Sequence, residues 1–202
     1  MLKDYINKEY LTFGPIKKLN KEFNSNKPFR YLILKDFFDR KFINKVAEEL
    51  KKEEFIFKES DLFRFKQTND LVNYKTEEIG VFFELINSEE FKKYLEEITG
   101  IKAHGEVDCS GFVYSNCDYL LPHDDRLEKR KIAYTLNLSK WFTKKDGGNL
   151  EFFEENKIVK VIEPKFNTFV IFEVVTDKTI HQVSEVLTDK ERLTISGWFN
   201  DK

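Results

Sequence analysis

The chain has 202 residues, 41% hydrophobic and 35% charged, with a formal net charge of -2. That length suits one domain that buries about 70% of the surface its unfolded form exposes. The near-balanced charge gives a polar surface without the basic bias of a polyanion binder, and no apolar run approaches the roughly 18 residues of a membrane span. Direct nucleic-acid or membrane binding is therefore not expected, and with no signal-peptide pattern in MLKDYINKEYL a cytoplasmic location is the expectation. Cys109 and Cys117 form neither a C-x-x-C motif nor a dense framework, and both read as small buried or half-buried strand residues.

In chain order, residues 1–27 are polar and weakly patterned, and they read as an N-terminal extension ahead of a domain spanning 28–202. KPFRYLILKDF predicts a short strand after Pro28. From Asp39 onward, Phe42, Ile43, Val46, Ala47 and Leu50 recur at helical spacing, with Lys51 and Lys52 suited to the helix end. Ile79, Phe82, Leu85 and Ile86 predict a second helix, and Phe91, Tyr94, Leu95 and Ile98 a third that stops at Gly100. These helices should support one side of a sheet, making 28–100 a helical buttress. After Gly100 the sequence turns to short β-rich runs: GEVDCSGFVYS, DYLLPH, KIAYTLNL, NLEFF, KIVKVIE, NTFVIFEVV, KTIHQV and RLTISGWF. Strands with no helix between them predict an antiparallel sandwich or barrel over 101–202.

Within that β-rich half, His123-x-Asp125 stands at a strand end, His181 follows 56 residues after Asp125, and Arg192 comes 11 residues later. Two imidazoles and one carboxylate on one face of an iron(II) ion leave three positions open, the ligand set of non-haem iron oxygenases. In an extended or turning segment residues i and i+2 project to the same side, so His123 and Asp125 can share a metal while Asp124 points away. A co-substrate such as 2-oxoglutarate can occupy two open positions and leave one for O2. Its far carboxylate needs a permanently charged fork, which Arg192 can supply, and Thr194 faces the same way and adds a hydroxyl. Arg126 and Arg130 flank the metal motif and are read as a charged loop able to meet substrate. His104 has no visible partner and is read as a surface or structural residue.

These features sit among longer motifs: KPF near residue 28, SDLFRFKQTNDL over 60–71, LLPHDD over 120–125, DGGNLEFF from Asp146, HQV at His181, and ERLTISGWF. Over roughly residues 27–200 the sequence resembles the iron(II)- and 2-oxoglutarate-dependent prolyl hydroxylases, most closely the catalytic domain of the ribosomal prolyl 3-hydroxylases. The resemblance implies a double-stranded β-helix of the jelly-roll kind, mostly β with supporting α-helices. It implies His123, Asp125 and His181 as metal ligands and catalytic centre, and Arg192 as the anchor for 2-oxoglutarate. It places Tyr114 where the family has a Tyr that hydrogen-bonds the co-substrate, and Trp198 beside the substrate mouth. Asn137 stands where the family commonly has a Tyr, and its amide can still hydrogen-bond. The activity implied is hydroxylation of a prolyl residue in a protein or peptide, a ribosomal protein among the candidates, with O2 consumed and 2-oxoglutarate decarboxylated to succinate. Ascorbate is the candidate reductant, and the segment 60–71 would lie near the site entrance. Two alternatives stand beside this reading: a hydroxylase of a free amino acid or other small metabolite, and a non-catalytic jelly-roll module.

Overall fold

The computed structural model describes residues 2–125, 127 and 129–201. In chain order the elements are α1 (Leu2–Tyr5), α2 (Phe13–Ser25), β1 (Tyr31–Lys35), α3 (Arg40–Leu50), β2 (Phe55–Ser60), β3 (Phe63–Thr68), α4 (Glu77–Asn87), α5 (Glu89–Thr99), β4 (Val107–Tyr114), β5 (Tyr119–His123), β6 (Arg130–Asn137), β7 (Leu150–Glu154), β8 (Lys157–Ile162), β9 (Thr168–Glu173), β10 (His181–Val183) and β11 (Arg192–Asn200). Among the described residues no helix is long and apolar enough to cross a membrane.

The helices start and stop where side chains satisfy their end groups. Asp39 accepts hydrogen bonds from the Lys41 and Phe42 amides at the start of α3, Ser88 caps α5 through the Phe91 amide, and Gly100 ends α5 in the left-handed conformation at φ 73°. The 1–27 segment, read from the sequence as a weakly patterned extension, is largely helical. Leu19 and Phe23 on one stripe of α2 are buried in the main core, and α2 packs on α5 and β1. Its apolar positions are sparse among Lys and Asn, which hid the stripe.

All pairings are antiparallel and follow one curled path: β1-β9-β6-β11-β4-β3-β5-β10-β7-β8, with β2 added on β3. The path folds into two facing halves. β1, β9, β6, β11 and β4 make the larger one, and β5, β10, β7 and β8 the smaller. β3 joins them by pairing with β4 through Lys66 and Gln67 and with β5 through Phe63 and Arg64. This is the expected jelly roll.

Strand alternation divides the apolar residues between two cores. On the outer face of the larger half, Leu193, Ile195 and Phe199 of β11, Leu136 of β6 and Phe169 and Ile171 of β9 pack against the helices. On its inner face, Ala133, Val170 and Phe172 meet Leu150, Phe152 and Ile162 of the smaller half. β9 is buried on both faces, which explains its unbroken TFVIF run. Cys109 is a buried strand residue as expected, whereas Cys117 is exposed in a turn at φ 68°, because the DYLLPH strand begins two residues later. His104 lies 2.8 Å from Glu96.

The outer core centres on Phe169, fully buried and stacked on Phe37 at 5.2 Å with Phe38, Phe91 and Tyr134 around it. Phe169→Ala should therefore cost about 3 to 5 kcal/mol of stability. Chemical denaturation checks this as a lower midpoint at unchanged slope.

Candidate metal and co-substrate site

β5 and β10 bring the two histidines together. His123 ends β5, His181 begins β10, and the two are register partners with ring centroids 4.2 Å apart. Asp125 follows the strand end in the left-handed region at φ 56°, a conformation that Asp tolerates better than most side chains. Its two carboxylate oxygens lie 3.5 Å from His123 Nε2 and 3.3 Å from His181 Nε2. One donor atom from each residue falls within 4.8 Å of the others. Asp124 turns elsewhere, accepting a hydrogen bond from the Asp177 amide.

The backbone fixes which ring nitrogen is available. Nδ1 of His123 is 2.8 Å from the Leu121 carbonyl and Nδ1 of His181 is 2.9 Å from the Thr179 carbonyl. A carbonyl can only accept, so each Nδ1 carries the proton and donates, leaving both Nε2 lone pairs aimed at Asp125. Lone pairs and a carboxylate repel unless a cation lies between them. Burial drives the His181 pKa down to about 4, keeping this imidazole neutral at physiological pH. Without a metal ion, a proton on His123 Nε2 can play the cation's part: burial opposes charge on both groups, but Asp125 raises the pKa of His123 and the facing imidazoles hold the Asp125 carboxyl at about 2. The Trp198 indole makes no hydrogen bond of standard geometry, yet it is near enough to Asp125 to favour the charged form.

Arg192 is the second charge centre. It is only 2% exposed, and no carboxylate among the described residues pairs with it. Its guanidinium lies over the ring of Tyr114, its register partner on β4, at 4.9 Å. Burial lowers the Arg192 pKa to about 10 and pushes the Tyr114 phenol up. A buried cation with no paired carboxylate among the described residues is costly unless an anion joins it. Arg192 Nε, Thr194 Oγ1 and Asn137 Oδ1 are all buried without hydrogen-bond partners. Thr194 and Asn137 are register partners on β11 and β6, but neither lines the open cavity, and the Asn137 amide donates to the Thr168 carbonyl.

The adjoining Gly147-Gly148 pair makes room for the arginine. Both have left-handed φ, and a Cβ on Gly148 would lie 2.9 Å from Arg192 Cδ. Between the metal residues and Arg192 runs a cavity of about 250 Å³. Leu120, Leu150, Phe172 and Val183 form apolar wall, and Thr135 and Ser196 add hydroxyls. Arg130 lies flat on Trp198, 3.3 Å from its ring centroid, and reaches within 4.0 Å of Asp125. It is thus half-buried cavity wall and not solvated loop; Arg126 falls outside the described residues. Phe65 and Gln67 of the 60–71 segment expected near the entrance also line the cavity, whereas Phe112, Thr135 and Ser196 were not singled out from the sequence. Alternation on β11 could have found Ser196, two residues from both Thr194 and Trp198.

This donor set and its neighbouring anion site fit iron(II) and 2-oxoglutarate. The chain matches, over residues 109–200, the family model described as the 2OG-Fe(II) oxygenase superfamily, and so contains a domain of that kind. More particularly, it is 38% identical over 181 residues to prolyl 3-hydroxylase OGFOD1 of Xenopus laevis, covering 86% of this chain and 35% of that protein. It is 34% identical to prolyl 3,4-dihydroxylase OGFOD1 of Ostreococcus tauri over 199 residues, 87% of this chain and 38% of that protein. The chain thus spans little more than a third of these relatives. A Pseudomonas putida prolyl-4-hydroxylase shares the fold with a TM-score of 0.75 at 16% identity, over 91% of this chain and 99% of that one. So does a Trichoplax adhaerens prolyl hydroxylase in complex with a hypoxia inducible factor peptide fragment, with a TM-score of 0.72 at 15% identity over 94% of each chain.

If the unpaired guanidinium is the anchor for the co-substrate, Arg192→Lys should weaken 2-oxoglutarate binding by about 1.5 to 3 kcal/mol, the size of a charge-assisted hydrogen bond. Calorimetry in the presence of a divalent metal reads this, and unchanged affinity would assign the anchor elsewhere.

Proposed function

We propose that this protein is an iron(II)- and 2-oxoglutarate-dependent dioxygenase that hydroxylates a prolyl residue in a protein or peptide. The observation that carries the reading is the convergence of His123, Asp125 and His181 at one end of a cavity whose walls include the unpaired Arg192. When bound, iron and 2-oxoglutarate supply the oxidising power, with O2 consumed and succinate and carbon dioxide released.

The chain's own residues would bind, orient and shield. His123 and His181 would present neutral Nε2 donors held by their backbone hydrogen bonds, and Asp125 the balancing negative charge. Arg192 would take the far carboxylate of 2-oxoglutarate through two parallel N–H donors, with the Tyr114 and Thr194 hydroxyls beside it. Asn137, its amide already tied to Thr168, would support Thr194 from the neighbouring strand. The apolar walls would keep water from the reacting centre, and Trp198 with Arg130 would border the target side chain.

A peptide substrate is favoured by the entrance. The turn between β2 and β3 presents exposed Leu62, whose carbonyl accepts from the amide of exposed Leu121, two residues before His123. Exposed Ile56 continues this surface on β2, on the face of its register partner Gln67, which lines the cavity. Such a rim suits the residues flanking a target proline in an extended chain, whose binding energy would position the C–H bond. A ribosomal-protein loop is one candidate, on the strength of the 60–71 motif that carries the resemblance to the ribosomal prolyl 3-hydroxylases. Ascorbate would serve as reductant, and the free thiols Cys109 and Cys117 fit a reducing cytoplasmic setting.

The test combines turnover and product. The protein should form succinate from 2-oxoglutarate and add one oxygen atom to a proline-containing loop peptide, seen by mass spectrometry. His123→Ala, Asp125→Ala and His181→Ala should each abolish both while staying folded. Efficient oxidation of free proline or another small metabolite, with no peptide modified, would replace the substrate assignment; no 2-oxoglutarate turnover at all would leave a binding module.

A further inference from the structure

Away from this cavity, the segment linking β6 to β7 carries a tryptophan that the proposed reaction does not use. Trp141 is 85% exposed, and its backbone sits at φ 67°, a region that bulky side chains rarely enter. The conformation is held from both sides. The Trp141 carbonyl accepts from Lys190 Nζ at 2.9 Å, and that ammonium also bonds both Asp146 carboxylate oxygens at 3.0 Å. The next residue, Phe142, is buried in the cluster that contains Tyr114 and Val186. Fixing Phe142 inward and Trp141 outward leaves a large flat ring standing in solvent.

Beside it lies a hollow of about 350 Å³. Arg40, Lys140 and Lys165 line it with Trp141 and Phe166, and no carboxylate does. Lys165 has an exposed pairing with Glu163 at 3.4 Å, while Lys140 spans Asn44 at 2.9 Å and the face of Phe166 at 5.0 Å. An ammonium has three donors, so Lys140 retains capacity for an anion. The overall charge of -2 argued against polyanions, but it is an average that conceals this local concentration of cations.

We infer that this hollow is a second binding site, for a nucleotide unit whose base stacks on Trp141 and whose phosphate meets Arg40, Lys140 and Lys165. An exposed aromatic plane beside cations is the combination that holds single nucleotides and single strands without reading sequence. The volume suits one nucleotide, free or within a single strand, and the two sources share this chemistry. The inference does not depend on the reaction at the metal site.

The experiment uses the whole chain with adenosine monophosphate by calorimetry, a dye-labelled single-stranded oligonucleotide by anisotropy, and a polyglutamate peptide as the anionic control. Binding of either nucleotide ligand is expected, weakening with salt. Trp141→Ala and Lys140→Glu should each weaken it about tenfold. Both residues lie outside the proposed active site, so a melting temperature like that of wild type separates lost binding from lost fold. An oligonucleotide that binds and is displaced by the monophosphate identifies a strand as the occupant; binding of the monophosphate alone identifies a free nucleotide. The inference is overturned if neither binds, if Trp141→Ala binds as well as wild type, or if polyglutamate binds as tightly as the nucleotides.

Discussion

A guanidinium buried with no paired carboxylate among the described residues is the constraint around which this molecule is organised. In a low-dielectric interior such a charge is costly, yet several elements converge to keep it there. The β4–β11 ladder sets Tyr114 under Arg192, the left-handed Gly148 yields the space its side chain needs, and Thr194 leaves an unpaired hydroxyl nearby. Each leaves room or a donor for an anion and supplies none. Stability alone would favour an apolar replacement or a paired carboxylate. The arrangement makes physical sense as a site completed by an anionic molecule.

The proposed metal ligands obey the same logic with opposite sign. Two imidazole lone pairs and a carboxylate point at one another, held by backbone carbonyls at Leu121 and Thr179 and by the β5–β10 pairing. A cation relieves that repulsion. Because the donors stand at strand ends of a curled double sheet, their spacing is set by ladder hydrogen bonds and core packing, and little must reorganise when a metal binds.

Much of this was legible in the sequence because it follows strict periodicities. Phe42, Ile43, Val46 and Leu50 announce α3, and the β-rich runs after Gly100 correspond to β4 through β11. His123, Asp125, His181 and Arg192 are separated in sequence, but chemical identity and order along the strands were enough to associate them. Three features were not legible. The helical stripe of α2 has few apolar residues and is stabilised by packing on α5, a tertiary effect. The inward turn of Arg130 depends on Trp198, nearly seventy residues away and brought beside it by the β6–β11 ladder. The outward Trp141 depends on a left-handed residue and on Lys190, and no local pattern encodes either. Alternation encodes which face a side chain takes; it does not encode which distant side chain it meets.

The most direct measurement of the central claim is an anaerobic titration of the metal-loaded protein with 2-oxoglutarate, followed by visible absorption. A keto acid bound to iron(II) gives a charge-transfer absorption that neither component has alone. The account requires this absorption to saturate with one 2-oxoglutarate per iron and one iron per chain, to be absent from His181→Ala, and to need more 2-oxoglutarate when Arg192 is replaced by Gln. A titration in which iron binds without any such absorption, or in which the Arg192→Gln protein saturates at the wild-type concentration, would contradict it.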